Sequence, residues 1–231
     1  MNDETNKIID VQIRGYKTDA DEVWQSTGLT LWKASHYLCQ YQMDHIQLFE
    51  NKRILELGAG LGLNGILAWK STANSQVCIT DGDSDALVHL RENVNRNRNE
   101  NSHDDTHNNN ISSNQLIWGK ETSTKFLSDI ANNQTYDVII ASDIIYSPVI
   151  IEPLWETVQT LLKKPSSCVE EEKGEEEDGG GIFVMAYARR DKVPVSFDLV
   201  CEKAEEHGFV WEMVKEDEEE GIWVYTFRFK L

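Results

Sequence analysis

A chain of 231 residues fits one domain of ordinary to large size. Its net charge of −18 disfavours nucleic acid as a partner, since that needs a basic footprint. No apolar run approaches the ~20 residues of a membrane span, and the opening MNDETNKIID is too polar and acidic for a signal or transit peptide.

Lys7 to Tyr16, KIIDVQIRGY, alternates with β character and predicts a short leading strand or hairpin. Leu29 to Met43 predicts a helix behind a Thr27-Gly28 turn, because Leu31, Ala34, Ser35, Leu38 and Gln42 share one side at a 3.6 period. Strand and helix units then alternate. Arg53 to Leu57 predicts a strand, and Leu61 to Lys70 a helix opened by glycines. Gln76 to Thr80 predicts a strand ending at Asp81, and Ser84 to Asn95 a helix with Ser84 as its N-cap. A short strand is expected over Gln115 to Trp118 and a helix over Thr124 to Ala131. Asp137 to Ser142 is apolar enough for a buried parallel strand, followed by a helix over Ile151 to Leu162. Ile182 to Tyr187 predicts another buried strand, and Ser196 to His207 a helix stopped by Gly208. Val210 to Lys215 and Ile222 to Lys230 flank the acidic run Glu216 to Glu220 and predict a closing hairpin.

Such alternation predicts an α/β fold: a Rossmann-like, doubly wound, mostly parallel seven-stranded sheet with a C-terminal antiparallel hairpin. One domain over 1–231 is expected, with an N-terminal segment 1–50 ahead of a core 51–231. Two polar runs, 99–114 and 165–181, cannot bury enough apolar surface to offset ordering entropy and are expected to be mobile loops. The second contains EEEKGEEEDGGG; the acidic runs suit either a basic partner or a merely solvated surface. Cys39, Cys78, Cys168 and Cys201 are scattered, with no CxxC and no His at metal spacing. That argues against a zinc site and for a reducing compartment, the cytosol by default with the nucleus also open.

In a doubly wound sheet the ligand sits beyond the carboxyl ends of the strands, near the first strand. There RILELGAGLGLNG, Arg53 to Gly65, spells two fingerprints. Gly60-Leu61-Gly62-Leu63-Asn64-Gly65 fits dinucleotide binding, whereas Glu56 to Gly62 fits S-adenosylmethionine binding. Both use glycine for a tight turn and close backbone approach, and both use the N–H groups of a helix start. The strand ends at Leu57, so Gly58 is the first turn glycine and Glu56 precedes it. Asp81 follows Gly62 at a spacing that suits an acid on ribose hydroxyls. These contexts, and the closing hairpin, favour the second fingerprint.

ILELGAGLG followed by ITDGD resembles the class I, seven-β-strand, S-adenosylmethionine-dependent methyltransferases. GLTLWKAS at Gly28 to Ser35, LIWG at Leu116 to Gly119 and ASDIIY at Ala141 to Tyr146 are similar to motifs of the family 16 protein-lysine methyltransferases. The resemblance covers roughly 10–230, and the two polar runs look like insertions in that frame. It implies S-adenosylmethionine as cofactor, a lysine-bearing protein as substrate, and a monomer that uses no metal. A small-molecule or protein-histidine N-methyltransferase, a nicotinamide-dependent reductase and a non-catalytic binding module stay open as alternatives.

The resemblance also implies roles. Gly58, Gly60 and Gly62 would shape the turn around the methionine moiety, and Glu56 would hold the turn or the cofactor's amino group. Asp81 would bind the ribose, with Gly82 and Asp83 on the adenosine side. Trp32 would pack beside the cofactor and Trp118 beside the adenine, though core packing would explain either tryptophan too. Ser142 and Asp143 would border the transferring methyl, Asp143 orienting the lysine ammonium, and Tyr146 would wall the lysine channel. No GxxxxGK[ST] or GxSxG occurs, and the six histidines are dispersed.

Overall fold

Arg53–Leu57 forms β1, and every residue after Arg53 in it is buried. The computed structural model describes residues 8–15, 27–98, 110–166, 180–189 and 195–231. Around β1 run β2 (Gln76–Asp81), β3 (Ile111–Gln115), β4 (Val138–Ser142) and β5 (Ile182–Ala188), all parallel. β6 (Phe209–Asp217) and β7 (Ile222–Phe229) close the sheet antiparallel, with β7 against β5. The order is β3-β2-β1-β4-β5-β7-β6, the expected doubly wound sheet with its antiparallel hairpin.

Side chains alternate across β1, so each face gathers its own core. Ile54 joins Val77, Ile79, Ile140 and Val184 beneath α1 (Lys33–Asp44), α2 (Leu63–Ser71) and α3 (Ser84–Asn97). Leu55 and Leu57 join Ile139, Phe183 and Met185 beneath α4 (Lys120–Asp129), α5 (Ile151–Leu161) and α6 (Phe197–Glu206). Trp155 of α5 is fully buried there, packing on Phe183, Phe209 and Phe227 and donating its indole N–H to the Val200 carbonyl at 3.1 Å. Its one polar atom is satisfied, so a large aromatic can sit in an apolar core without penalty.

Several expected boundaries move. Residues 8–15 are not a strand. Their backbone bonds instead to side chains of α3: Gln12 with Asn97, and Arg14 with Asn93. The third strand lies at Ile111–Gln115, not at Gln115 to Trp118, and so occupies part of the expected loop 99–114. It is a polar edge strand, held by parallel pairing of Val77 with Ile111 through Asp81 with Gln115, and an apolar count misses it. The remaining parts of that loop and of 165–181, namely 99–109 and 167–179, lie outside the described residues. α1 starts at Lys33 rather than Leu29, after a 3-10 turn at Thr27–Leu29. α4 starts at Lys120, with Gly119 (φ 135°) as its N-cap residue. Asp83, not Ser84, caps α3: its carboxylate accepts from the Asp85 N–H at 2.8 Å.

Candidate functional site

Strands β1 and β4 lie side by side at the centre of the sheet, and the chain leaves their carboxyl ends in opposite directions along it. That crevice is where an open α/β sheet binds ligands. Leaving β1, Gly58, Gly60 and Gly62 all take left-handed φ, at 60°, 53° and 83°. A Cβ on Gly60 would stand 2.9 Å from the Gly28 carbonyl oxygen. One on Gly58 would stand 2.8 Å from an Ile144 methyl and 3.2 Å from the Trp118 ring. The turn thus needs glycine for conformation and for space.

Acids hold it from two sides. Asp81, at the end of β2, accepts the Gly60 N–H at 2.8 Å and the Asp83 N–H at 2.9 Å. Burial raises its carboxyl above the usual range, while those same N–H donors oppose the shift. Glu56 is 1% exposed and accepts the Gly65 N–H at 2.8 Å, inside the first turn of α2. A Cβ on Gly65 would come 2.5 Å from that carboxylate, so Gly65 is needed there by Glu56.

A cavity of about 570 Å³ opens over this turn. Ten of the expected site residues line it: Trp32, Gly58, Gly60, Asp81, Gly82, Asp83, Trp118, Ser142, Asp143 and Tyr146. Glu56 and Gly62 lie behind its wall. Glu56 braces the start of α2, and Gly62 is the N-cap of that helix with the Leu90 side chain packed against it. Among the described residues the carboxylates in the lining are Asp81, Asp83 and Asp143, and no described Lys or Arg accompanies them.

Past β4, Asp143 is 8% exposed and takes φ 58°. Only Gly, Asn and Asp visit that region readily, and such backbone strain concentrates at functional positions. Its N–H still donates to Ala186 of β5 at 2.9 Å, so the kink is fixed by the sheet. Tyr146 is about half exposed at the rim; burial, then the charges of Asp81 and Asp83, raise its hydroxyl above the ordinary range. It therefore stays a neutral donor beside those acids.

The residue that sequence reasoning missed is Asn64. It is 1% exposed in the first turn of α2 and reaches the cavity. Its amide donates to the Ser35 carbonyl at 2.8 Å and accepts the Ser142 hydroxyl at 3.1 Å. It thereby ties α1, α2 and the end of β4 into one floor. The signal was a polar residue on the buried side of an otherwise apolar helix start. Gly28 and Thr30, which also line the cavity, are positioned by the 3-10 turn that replaced the expected helix start.

Burial pushes the Glu56 carboxyl up to about 8, from an ordinary value of 4.5, with the Gly65 N–H opposing and Asp81 adding. Between those values the folded chain holds a proton that the unfolded chain has released. The stability from this group is complete below about pH 4.5 and lost as pH rises to about 8. Gln cannot titrate but can still accept from Gly65. Glu56→Gln is therefore expected to gain in Tm relative to the unaltered protein as pH rises through that window, read by scanning calorimetry. A Tm difference constant across it would show that Glu56 is ionised throughout.

The fold and this turn define a class. Solved methyltransferases share the architecture: one from Pyrococcus furiosus aligns at TM-score 0.55 and 16% identity, over 85% of this chain and 82% of its own. Fibrillarin from Aeropyrum pernix, solved with S-adenosyl-L-methionine, aligns at TM-score 0.54 and 12% identity, over 84% of this chain and 74% of its own. At such identities the likeness is one of fold. The chain belongs to the lysine methyltransferase family, whose model matches residues 16–186. Among curated relatives, protein N-lysine methyltransferase METTL21A of Xenopus tropicalis is 36% identical over 125 residues, 53% of this chain and 51% of that protein. Calmodulin-lysine N-methyltransferase of Arabidopsis thaliana is 28% identical over 139 residues, 60% of this chain and 42% of that protein. Human protein-lysine N-methyltransferase EEF2KMT is 32% identical over 132 residues, 56% of this chain and 38% of that protein. The alignments thus span about half or less of each relative.

Proposed function

We propose that this protein transfers a methyl group from S-adenosylmethionine to a lysine side chain of another protein. The observation that carries the reading is one cavity joining the acid-braced glycine turn of β1 to Asp143 beyond β4. The residues fit the cofactor. Gly58 and Gly60 let the turn pack closely against Ile144, Trp118 and Gly28, where any Cβ would collide, and Asp81 presents carboxylate oxygens that can accept further hydrogen bonds from ribose hydroxyls. Trp118 and Ile117 supply apolar surface for a base, while Trp32 and Thr30 close the other side. Bound there, S-adenosylmethionine supplies an electrophilic methyl group on a sulfonium.

The chain's own part is positioning. An amine attacks only when neutral, and a free lysine has a pKa of about 10.4. A carboxylate beside it favours the ammonium, so Asp143 orients the amine rather than acting as its base, and the ammonium gives its proton to water before attack. Alignment in a desolvated pocket then accounts for most of the acceleration. Tyr146 and Val149 give the rim an apolar face along which a lysine stem can lie. The acidic β6–β7 turn stands at the cavity end of the sheet, since Ile222 pairs with Ala188 at the end of β5. It is moored to α1 by Tyr37 donating to Asp217 at 2.7 Å and by the Lys33–Glu220 pair. That supports a basic protein substrate and disfavours nucleic acid. Among the described residues no helix is long and apolar enough to cross a membrane, and Cys39, Cys78 and Cys201 are free thiols. The free thiols favour a reducing compartment, the cytosol or the nucleus.

Calorimetric titration tests the cofactor: S-adenosylhomocysteine is expected to bind and NADH not to. Labelled S-adenosylmethionine with a cell lysate, followed by mass spectrometry, tests the acceptor. Label on small metabolites and on no protein would sink the lysine assignment.

A further inference from the structure

Asn93 and Asn97 lie one turn apart on the buried side of α3, at 0% and 3% exposure. Neither amide faces the cavity. Asn93 accepts the Arg14 N–H at 2.8 Å and donates to the Arg14 carbonyl at 3.0 Å. Asn97 repeats the pattern with Gln12, accepting its N–H at 2.9 Å and donating to its carbonyl at 2.6 Å. Two side chains thus imitate the edge of a strand, and residues 8–15 pair with them as they would with a sheet. Asn93 has one more bond: its amide also donates to the Leu61 carbonyl at 3.1 Å. Leu61 lies between Gly60 and Gly62 in the glycine turn and lines the cavity. The same turn is touched twice more from this side. Gly15 lies flat against the Leu61 side chain, where a Cβ would collide, and Leu90 of α3 fills the space beside Gly62.

We propose that Asn93 is a positioning residue for the cofactor turn, and that the docked segment 8–15 sets the cofactor affinity through it. The proposal rests on the cofactor reading of the cavity. Its physical basis is the economy of one amide. Asn93 has two donor hydrogens and an acceptor oxygen, and the three bonds to Arg14 and Leu61 use all of them. The Leu61 bond is held in direction by the two Arg14 bonds. If residues 8–15 leave, the Asn93 amide turns towards water, Leu61 loses both its carbonyl donor and the Gly15 contact, and the turn loses its outer wall. Since the turn is ordered in the docked state, a ligand that needs it ordered binds that state better. By linkage, the ligand must then favour docking by the same factor.

Asn97 separates this from a general loss of structure. It grips the segment at Gln12 and bonds within α3 and to Lys70, and among the described residues it hydrogen-bonds to none that lines the cavity. Asn97→Ala is expected to weaken S-adenosylhomocysteine binding at least fivefold by calorimetry. Asn93→Asp, which sets carboxylate oxygens against the Leu61 and Arg14 carbonyls, should weaken it at least tenfold. The double variant should be no weaker than Asn93→Asp within a factor of two, because both changes act through one docking event. Hydrogen exchange on the unaltered protein gives a readout that needs no variant: S-adenosylhomocysteine should slow exchange at the Gln12 and Arg14 amides. Unchanged affinity in Asn97→Ala, fully multiplicative losses in the double variant, or protection of the glycine turn without protection at Gln12 and Arg14 would each overturn the inference alone. Failure of the unaltered protein to bind S-adenosylhomocysteine would overturn the cofactor reading and this inference with it.

Discussion

Asp143→Asn is expected to cut methyl transfer roughly 10- to 100-fold while leaving S-adenosylhomocysteine binding within about threefold. The size follows from losing one charge-assisted contact to the amine, about 1.5–3 kcal/mol. Asn is the informative replacement because residue 143 sits at φ 58°. Asn visits that region readily, whereas Ala there would add roughly 1–2 kcal/mol of backbone strain. The Asp143 N–H bond to Ala186 survives both changes, so the sheet edge should hold. Asp143→Ala should therefore lose as much transfer and also some thermal stability, and Asp143→Asn the transfer alone. The measurement is single-turnover transfer to the labelled protein acceptor beside a calorimetric binding isotherm. If Asp143→Asn loses cofactor affinity in proportion to transfer, Asp143 belongs to the cofactor and not to the amine.

The strand ends that carry this part of the site were legible because their demands are local, whereas the role given to Asp143 came from the likeness of ASDIIY to a family motif. A buried strand that ends in an acid or a glycine turn leaves an apolar run and then a break, as in Ile54 to Gly58 and Val138 to Asp143. The alternating core and the closing hairpin were legible for the same reason. Features set by distant partners were not. β3 is ISSNQ, a polar edge whose pairing comes from β2, so its pattern carries no apolar signature. KIIDVQIR alternates like a strand, yet among the described residues none forms a strand beside 8–15; two asparagines some 80 positions away supply the partners. Those asparagines read as ordinary polar residues of a surface helix. Asn64 was hidden differently: in sequence it belongs to a glycine fingerprint, and only the packing of α1 against α2 shows its amide holding Ser35 and Ser142. Glu56 was visible as an acid before the turn, but that it braces Gly65 from behind the cavity wall required the fold.

Gly60→Val should reduce S-adenosylhomocysteine binding at least 100-fold, whereas Gly82→Ala should change it less than threefold. Both glycines line the cavity, and the sequence does not rank them. Geometry does. At Gly60, φ is 53°, an outlier for a β-branched residue, and the nearest obstacle to a Cβ is the Gly28 backbone oxygen at 2.9 Å. Backbone yields less readily than the end of a side chain. Relief would require moving the turn, and with it the Gly60 N–H that Asp81 accepts. About 1–2 kcal/mol of left-handed strain and the lost bond to a partly buried carboxylate, about 1.5–3 kcal/mol, come within reach of the stated factor even at their lower ends, and the clash adds to them. At Gly82 the nearest atom to a Cβ is 3.5 Å away, ordinary contact, and φ carries no left-handed demand. Titration of each variant with S-adenosylhomocysteine reads the ratio. Equal losses would mean that the cavity responds to side-chain volume anywhere on its wall. A loss confined to Gly60→Val would mean that the backbone of the turn, pinned between Gly28 and Asp81, is what the cofactor recognises.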